Sequence, residues 1–406
     1  MLSDRILGTS DSITMKLNEK ALLLTEEGRV IYNLSGGQLP IKPMSELTEK
    51  IHHQLNFLKS YQYPPSAGFK DLREKFLKVY AKKRNLEAIE TLDCIVSNGS
   101  KHSLYNALGV IINPGDEVIT LAPYWVSYPE MIKFWGGVTK VVKSNVFDAF
   151  TPAIDDIRKA LTPKTKAIII NSPNNPAGIH YSHSWMKEFA ILLTEFPNLI
   201  VISDEAYSDI CYYDPKPTYF YQYDQELLER TIIVDSISKS LAATGLRIGF
   251  TIAPASIVEA MKKMQSQTTS GANSLIQRAL IDFNFDTIDS FLIPVRNHIR
   301  LNATFIQKIF REYKLSHCWY QSTSAFYFMV DFSRTPMFER YDQDKDSSYE
   351  VADKLLEEGV LVVPGKDFGM PNSLRISLVL EEIPFQEAII KLLKFLTTYS
   401  RFFLLR

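Results

Sequence analysis

The sequence predicts an α/β chain: a large domain built on a seven-stranded, mostly parallel sheet, followed by a smaller α+β domain. Three observations lead there. Seven short β-branched runs lie between residues 94 and 253, helical text separates several of them, and beyond about residue 285 the pattern changes to long helices with a strand meander.

In chain order the runs are "CIVSN" from Cys94, "EVITL" from Glu117, "VTKVVK" from Val138, "AIIIN" from Ala167, "LIVISD" from Leu199, "TIIVDS" from Thr231 and "IGFTIA" from Ile248. Their length and branching suit buried strands. "KHSLYNALGVI" follows the first and "SWMKEFAILLTEF" the fourth, so strand and helix alternate as in a doubly wound sheet over residues 45–285. The remainder opens with helical text from Phe291 to Tyr313 and continues through "AFYFMVDF", "GVLVVPG" and "SLRIS". Residues 1–44 are expected to fold against this part, so that 1–44 and 286–406 form the smaller domain. "SRTPMFERYDQDKDSS" reads as a polar loop, and the apolar tail "TTYSRFFLLR" as a docked end or contact patch.

Composition narrows the partners. Of 406 residues 46% are apolar, enough for a sizeable core, and the formal charge is −1 with no basic stripe. Nucleic acid and anionic membranes are therefore poor matches, and small solutes better ones. No apolar run approaches the roughly 20 residues that span a bilayer, and "MLSDRILGTSDS" lacks a signal-peptide core, so a cytoplasmic location is expected. Cys94, Cys211 and Cys318 are scattered and odd in number, which suits a reducing compartment. The seven histidines form no metal-ligand spacing, and His52 and His53 are adjacent on an expected helix, so no metal is expected.

Ligands of open α/β sheets bind beyond the carboxyl ends of the strands. After "CIVSN" come Gly99, Ser100 and Lys101, opening a helix whose free N–H groups suit a phosphate. "EVITL" leads to Tyr124 and Trp125, "AIIIN" to Asn174, Asn175 and Pro176, "LIVISD" ends on Asp204 with Tyr207 beyond, and "TIIVDS" ends on Ser236 with Lys239 beyond. Singly, each has a plainer reading as a turn, a cap or a core aromatic. Together they assemble an acid, an aromatic face, a phosphate cradle, amide and phenol donors and an amine at one sheet edge. Pyridoxal 5'-phosphate requires such a set: lysine for its aldehyde, a carboxylate for its ring nitrogen, and Ser236 and Arg247 for its phosphate.

The same residues resemble the class I aminotransferases, typified by aspartate aminotransferase, among the fold-type I pyridoxal-phosphate enzymes. The likeness covers nearly the whole chain. It rests on Ser236, Ser238 and Lys239 with Gly245, Arg247 and Gly249, on the run from Asn171 to Gly178, on Asp204–Tyr207, and on "PYWVSY" from Pro123. "YPPSAGFKDLREKF" from Tyr63, "LSGGQ" from Leu34 and "SLRIS" from Ser373 complete it. Two places depart from the family text: "STSAFY" from Ser322, and Gly271–Ala272–Asn273.

The resemblance implies roles. Lys239 would form the Schiff base and later move the proton at the substrate α-carbon. Asp204 would keep the cofactor's ring nitrogen protonated, Asn175 and Tyr207 would hydrogen-bond its ring oxygen, and Trp125 would stack on the ring. Ser236, Arg247 and the N–H groups of Ser100 and Lys101 would hold the phosphate. Tyr63 would reach the phosphate from a neighbouring subunit, which implies a homodimer with a composite site. Arg375 would grip the substrate α-carboxylate bidentately, and Gly37 would let the N-terminal segment close over it. The ammonium of Lys101 would meet a distal carboxylate, pointing to aspartate or glutamate with a 2-oxo acid in ping-pong exchange. Its alternative is a backbone role with the side chain in solvent. A C–S lyase or decarboxylase on the same scaffold is the nearest rival activity. A non-catalytic regulatory domain is the more distant one, for only about 30 residues precede "LSGG".

Overall fold

All seven β-branched runs enter one sheet. In the computed structural model, which describes residues 2–8, 13–87 and 89–398, the strands are β1 (Leu92–Ser97), β2 (Glu117–Leu121), β3 (Val138–Val142), β4 (Thr165–Asn171), β5 (Ile200–Asp204), β6 (Thr231–Ser236) and β7 (Gly249–Pro254). Their spatial order is β1-β7-β6-β5-β4-β2-β3. Every neighbouring pair is parallel except the two that involve β7, which runs antiparallel to both β1 and β6. Six of the seven strands thus end at the same edge of the sheet.

The strands are apolar because helices cover both faces of the sheet. Ile168, Ile169, Ile170, Ile202, Ile232 and Ile233 are each at most 2% exposed, and burying such a side chain stabilises by roughly 1.5–3 kcal/mol. Only the edge strand β3 relaxes this pattern, with Val138 and Val141 open to solvent. The two expected helices form at Ser100–Ile111 and His183–Thr194.

After the helix Ile288–Glu312, the chain builds an antiparallel three-stranded sheet ordered Val363–Pro364, Ser373–Ser377, Tyr327–Asp331. Helices Ser348–Glu357 and Glu382–Thr397 accompany it. The N-terminal segment meets this region: Tyr32–Asn33 pairs in parallel with Val360–Leu361, and Leu34 N–H donates to Leu361 O at 2.9 Å. The chain then runs through Ser35–Gln38 along the rim of the large sheet. One sequence expectation is corrected. The stretch around residue 340 is not simply a polar loop, because it contains the 3₁₀ turn Pro336–Arg340, anchored by buried Met337 and Phe338. Its many charges mask those two apolar anchors in the text. Of the C-terminal tail "TTYSRFFLLR", residues 399–406 lie outside the described residues, and among the described residues no helix is long and apolar enough to cross a membrane.

Candidate active site

A cavity of about 600 Å³ opens at the carboxyl ends of the parallel strands, and Ser100, Lys101, Trp125, Asn175, Asp204 and Tyr207 line it together with Lys239, Arg247, Arg375 and Gly37. These residues come from seven separate stretches of chain. Most are strand ends or the loops after them, where a sheet projects side chains without having to pair them, whereas Arg375 lies in the middle of the strand Ser373–Ser377.

At one end the helix Ser100–Ile111 begins. Its first N–H groups to find a helical acceptor are those of His102 and Ser103, both bonded to Gly99 O, so those of Ser100 and Lys101 precede the ladder. Arg247 lies over this opening, donating to Thr244 O at 3.1 Å and Asn98 O at 3.3 Å. It does so from a left-handed backbone, φ 55°, an uncommon state for a residue with a side chain. The adjoining Gly249 must be glycine, since a Cβ there would sit 2.4 Å from Gly99 C and Ser100 N. The ammonium of Lys101 stands 4.8 Å over the Trp125 ring, and burial followed by the Arg247 charge lowers its pKa.

At the cavity floor Asp204 ends β5. Its Oδ2 accepts from the Tyr128 hydroxyl at 2.6 Å, and its backbone carbonyl accepts from Asn171 Nδ2 at 2.9 Å. Burial lifts the carboxyl to about 6, while the Tyr128 bond and the Ala206 N–H oppose the rise. Asn171 Oδ1 also accepts from Asn175 N–H at 2.8 Å, which fixes the turn that aims the Asn175 amide.

That amide bridges two groups. Asn175 Nδ2 donates to the Tyr207 hydroxyl at 3.4 Å, and its Oδ1 accepts from Arg375 at 3.2 Å. A second Arg375 nitrogen donates to Ser35 O at 2.8 Å, while its Nε is buried without a partner. The guanidinium lies against the Tyr327 and Phe368 rings, 4.5 and 5.1 Å from their centroids. A buried cation that lines a cavity and has no carboxylate partner is equipped to bind an anion.

Lys239 sits on the single helical turn Ile237–Ser240 after β6, and its amine donates to Gly37 O. Burial, then the Arg375 and Arg247 charges, lower its pKa to about 8. The amine is thus within reach of being neutral near physiological pH.

Two residues singled out in the sequence lie elsewhere. The Ser236 hydroxyl caps the Lys239 turn by accepting from Ser238 N–H at 3.3 Å, and its side chain lines a separate cavity behind that turn, whereas Ser238 lines the main one. Tyr63 is 90% exposed on the surface of the chain. Conversely, Tyr128 and Tyr327 contribute contacts to which the sequence reading gave no role. Tyr128 was legible as the end of "PYWVSY", one helical turn past Trp125. Tyr327 closes the run "STSAFY", which the sequence marks only as a departure from the family text. Among the described residues no group of three or more His, Cys, Asp or Glu side chains is arranged to hold a metal ion, and the three cysteines are buried and free.

Residues 29–389 match the family described as aminotransferase class I and II. The chain is 31% identical to the aspartate/prephenate aminotransferase of Thermus thermophilus over 96% of its own length and 97% of that protein. It is 30% identical to the aspartate aminotransferase of Bacillus subtilis, over 98% of this chain and all of that one. Among solved structures, Thermus thermophilus aspartate aminotransferase with maleate superposes with a TM-score of 0.87 at 30% identity, covering 98% of this chain and 100% of the other. An aligned family over nearly the whole length, the same fold and a cavity at the family's motifs agree: this chain belongs to the class I and II aminotransferases and is a transaminase.

Proposed function

We propose that this aminotransferase works with pyridoxal 5'-phosphate carried on Lys239, and that it moves an amino group between aspartate or glutamate and a 2-oxo acid in ping-pong exchange. One observation carries the reading: a lysine of lowered pKa, a buried carboxylate and a buried guanidinium with a free donor share one cavity. The donor set fits that cofactor. Its phosphate matches the helix opening at Ser100 and Lys101 under Arg247, with Ser236 or its neighbour Ser238 adding a hydroxyl, and its ring matches the space between Trp125 and Asp204.

When bound, the cofactor supplies an aldehyde that takes up the amino group and a ring that withdraws electrons from the substrate α-carbon. Asp204, whose carboxyl burial lifts to about 6, is mostly ionised at neutral pH and would hold a proton on the ring nitrogen. Asn175 and Tyr207 would donate to the ring oxygen, and Trp125 would cover the ring face. Arg375 binds the α-carboxylate, its planar fork already aligned by Asn175 and Ser35. Lys239, in its neutral form, carries the proton to and from the α-carbon. The Ser35–Gln38 segment, with Gly37, closes over the bound substrate as residues 1–44 and 286–406 move against the 45–285 domain.

Lys101 reads a distal carboxylate, and the names of the relatives, aspartate and aspartate/prephenate aminotransferase, support a dicarboxylic donor. We also propose a homodimer in the cytoplasm, with Tyr63 reaching the partner's phosphate site. The exposed apolar group Leu55, Phe57, Leu58, Tyr61 and Tyr63 supports such an interface.

The test is a panel of amino donors with 2-oxoglutarate. Lys101→Ala is expected to lower kcat/KM for aspartate by about tenfold to a hundredfold, the weight of a charge-assisted contact, and to leave phenylalanine and alanine nearly unchanged. An equal loss for all donors would reassign Lys101 to the cofactor, and no loss would return its side chain to solvent.

A further inference from the structure

Tyr327 opens the strand Tyr327–Asp331 and is 1% exposed, yet it touches three parts of the site. Its hydroxyl is 3.1 Å from that of Tyr207. Its ring carries the Arg375 guanidinium at 4.5 Å. Its hydroxyl also stands beside Gly37 of the closing segment, 3.5 Å from where a side chain there would begin.

The placement is rigid. Thr323 and Ser324 N–H both donate to Gly178 O, at 2.8 and 3.0 Å, and Ala325 N–H donates to Ile210 O at 2.7 Å. Gly178, at φ 68°, lets the turn after β4 come so close that a Cβ would lie 1.9 Å from Tyr327 O. The phenol is therefore fixed to the rim of the large sheet, although it belongs to a strand of the C-terminal sheet.

Counting protons gives the phenol a job. The Tyr207 oxygen has one proton and two acceptor sites. Asn175 Nδ2 donates into one of these sites. If Tyr327 donates into the other, the Tyr207 proton is left to point into the cavity. If Tyr327 accepted instead, that proton would be used inside the protein. At the other end of the same ring, the two hydrogen bonds from Arg375 to Asn175 and Ser35 direct its fork, its Nε has no partner, and the Tyr327 and Phe368 faces support its plane from the side.

We propose that Tyr327 is a positioning residue that aims the Tyr207 proton into the cavity and holds the Arg375 fork, joining the cofactor end of the site to the carboxylate end. The proposal rests on the cofactor reading above. It assigns separate tasks to two parts of one side chain, the hydroxyl and the ring.

The experiment separates them in the cofactor-loaded enzyme. For wild type, Tyr327→Phe and Tyr327→Leu, the pH midpoint of the bound cofactor's visible absorbance is titrated. The Kd of maleate, a dicarboxylate that cannot be transaminated, is measured on the same samples. Tyr327→Phe loses only the hydroxyl, so the midpoint is expected to rise by about half to one pH unit, the worth of one neutral hydrogen bond to the ring-oxygen anion's donor. Its maleate Kd is expected to stay within twofold of wild type. Tyr327→Leu also loses the ring, and its maleate Kd is expected to rise roughly threefold to thirtyfold over the Phe variant, the range of a desolvated cation–π contact. An unshifted midpoint in Tyr327→Phe overturns the aiming role, and equal maleate affinities in the two variants overturn the Arg375 role. Tyr327→Met replaces Leu if the latter does not fold by thermal melt. A wild-type protein without any titrating visible band overturns the cofactor reading itself, a distinct outcome.

Discussion

The Tyr128 hydroxyl donates to Asp204 Oδ2 at 2.6 Å, and both side chains are buried. This bond opposes the burial that lifts the Asp204 carboxyl to about 6. Tyr128→Phe is therefore expected to raise that pKa further, and to move the acid limb of the kcat/KM profile to higher pH. A hydrogen bond to a charged group is worth about 1.5–3 kcal/mol, or roughly one to two pKa units, so the loss at neutral pH should be about twofold to fifteenfold. A profile that keeps its acid limb in place would show that Tyr128 only packs.

Lys239 carries a second pH signature. Burial and the cations Arg375 and Arg247 lower its pKa to about 8, against about 10.4 for an ordinary lysine. The rate at which cofactor-free protein takes up pyridoxal phosphate into a borohydride-reducible form should climb from pH 7 to 9 and then level off. A rate still climbing above pH 10 would contradict the lowered pKa. Peptide mapping should find the reduced label on Lys239, and Lys239→Ala should carry none.

Asp235, immediately before the Lys239 turn, is 8% exposed, and burial pushes its carboxyl to about 8, with Lys83 opposing and Asp209 adding to the rise. An acid whose folded pKa exceeds its unfolded value binds more protons when folded, so its stabilising contribution is lost as pH rises from about 4 through 8. Asp235→Asn retains an oxygen for the Ser236 N–H, which now bonds Oδ1 at 2.7 Å. In urea unfolding, the variant's advantage over wild type should widen from pH 5 to pH 8.5, reaching on the order of a few kcal/mol. A gap that does not change with pH would refute the buried-acid account.

The composite site proposed above makes a prediction about mixtures. Tyr63→Phe and Lys239→Ala, each impaired alone, should regain activity when their subunits exchange, because one of the two sites in a hybrid dimer then carries neither lesion. The measurement is turnover before and after demonstrated exchange. Unchanged activity in a proven hybrid would mean that each chain completes its own site.

Much of the site is legible because a doubly wound sheet exposes side chains at predictable places. A β-branched run shows where a strand ends, and the next few residues are the ones that reach the cavity. Asp204, Asn175, Trp125 and Lys239 are all found this way. Ser236 and Ser238 show where the method loses resolution. Ser236 ends the strand and Ser238 lies in the helical turn that follows, and the turn's rotation sends Ser236 to its own cap and Ser238 to the cavity. Two residues of separation in the text do not reveal which of them faces inward.

What the sequence by itself determined is the set of local elements and their order: seven strands, the helix opening at Ser100, the Lys239-to-Arg247 spacing and the "SLRIS" strand bearing Arg375. These depend on periodicity and turn chemistry, which neighbouring residues encode. Only the tertiary structure decided that β7 runs antiparallel between β1 and β6. It alone brought Arg375 to Asn175 and Ser35, 200 and 340 residues away in the chain, and slid Tyr327 beneath the guanidinium. Such contacts come from segments that bury surface against one another, and the fit between two distant surfaces leaves no period in either stretch of sequence.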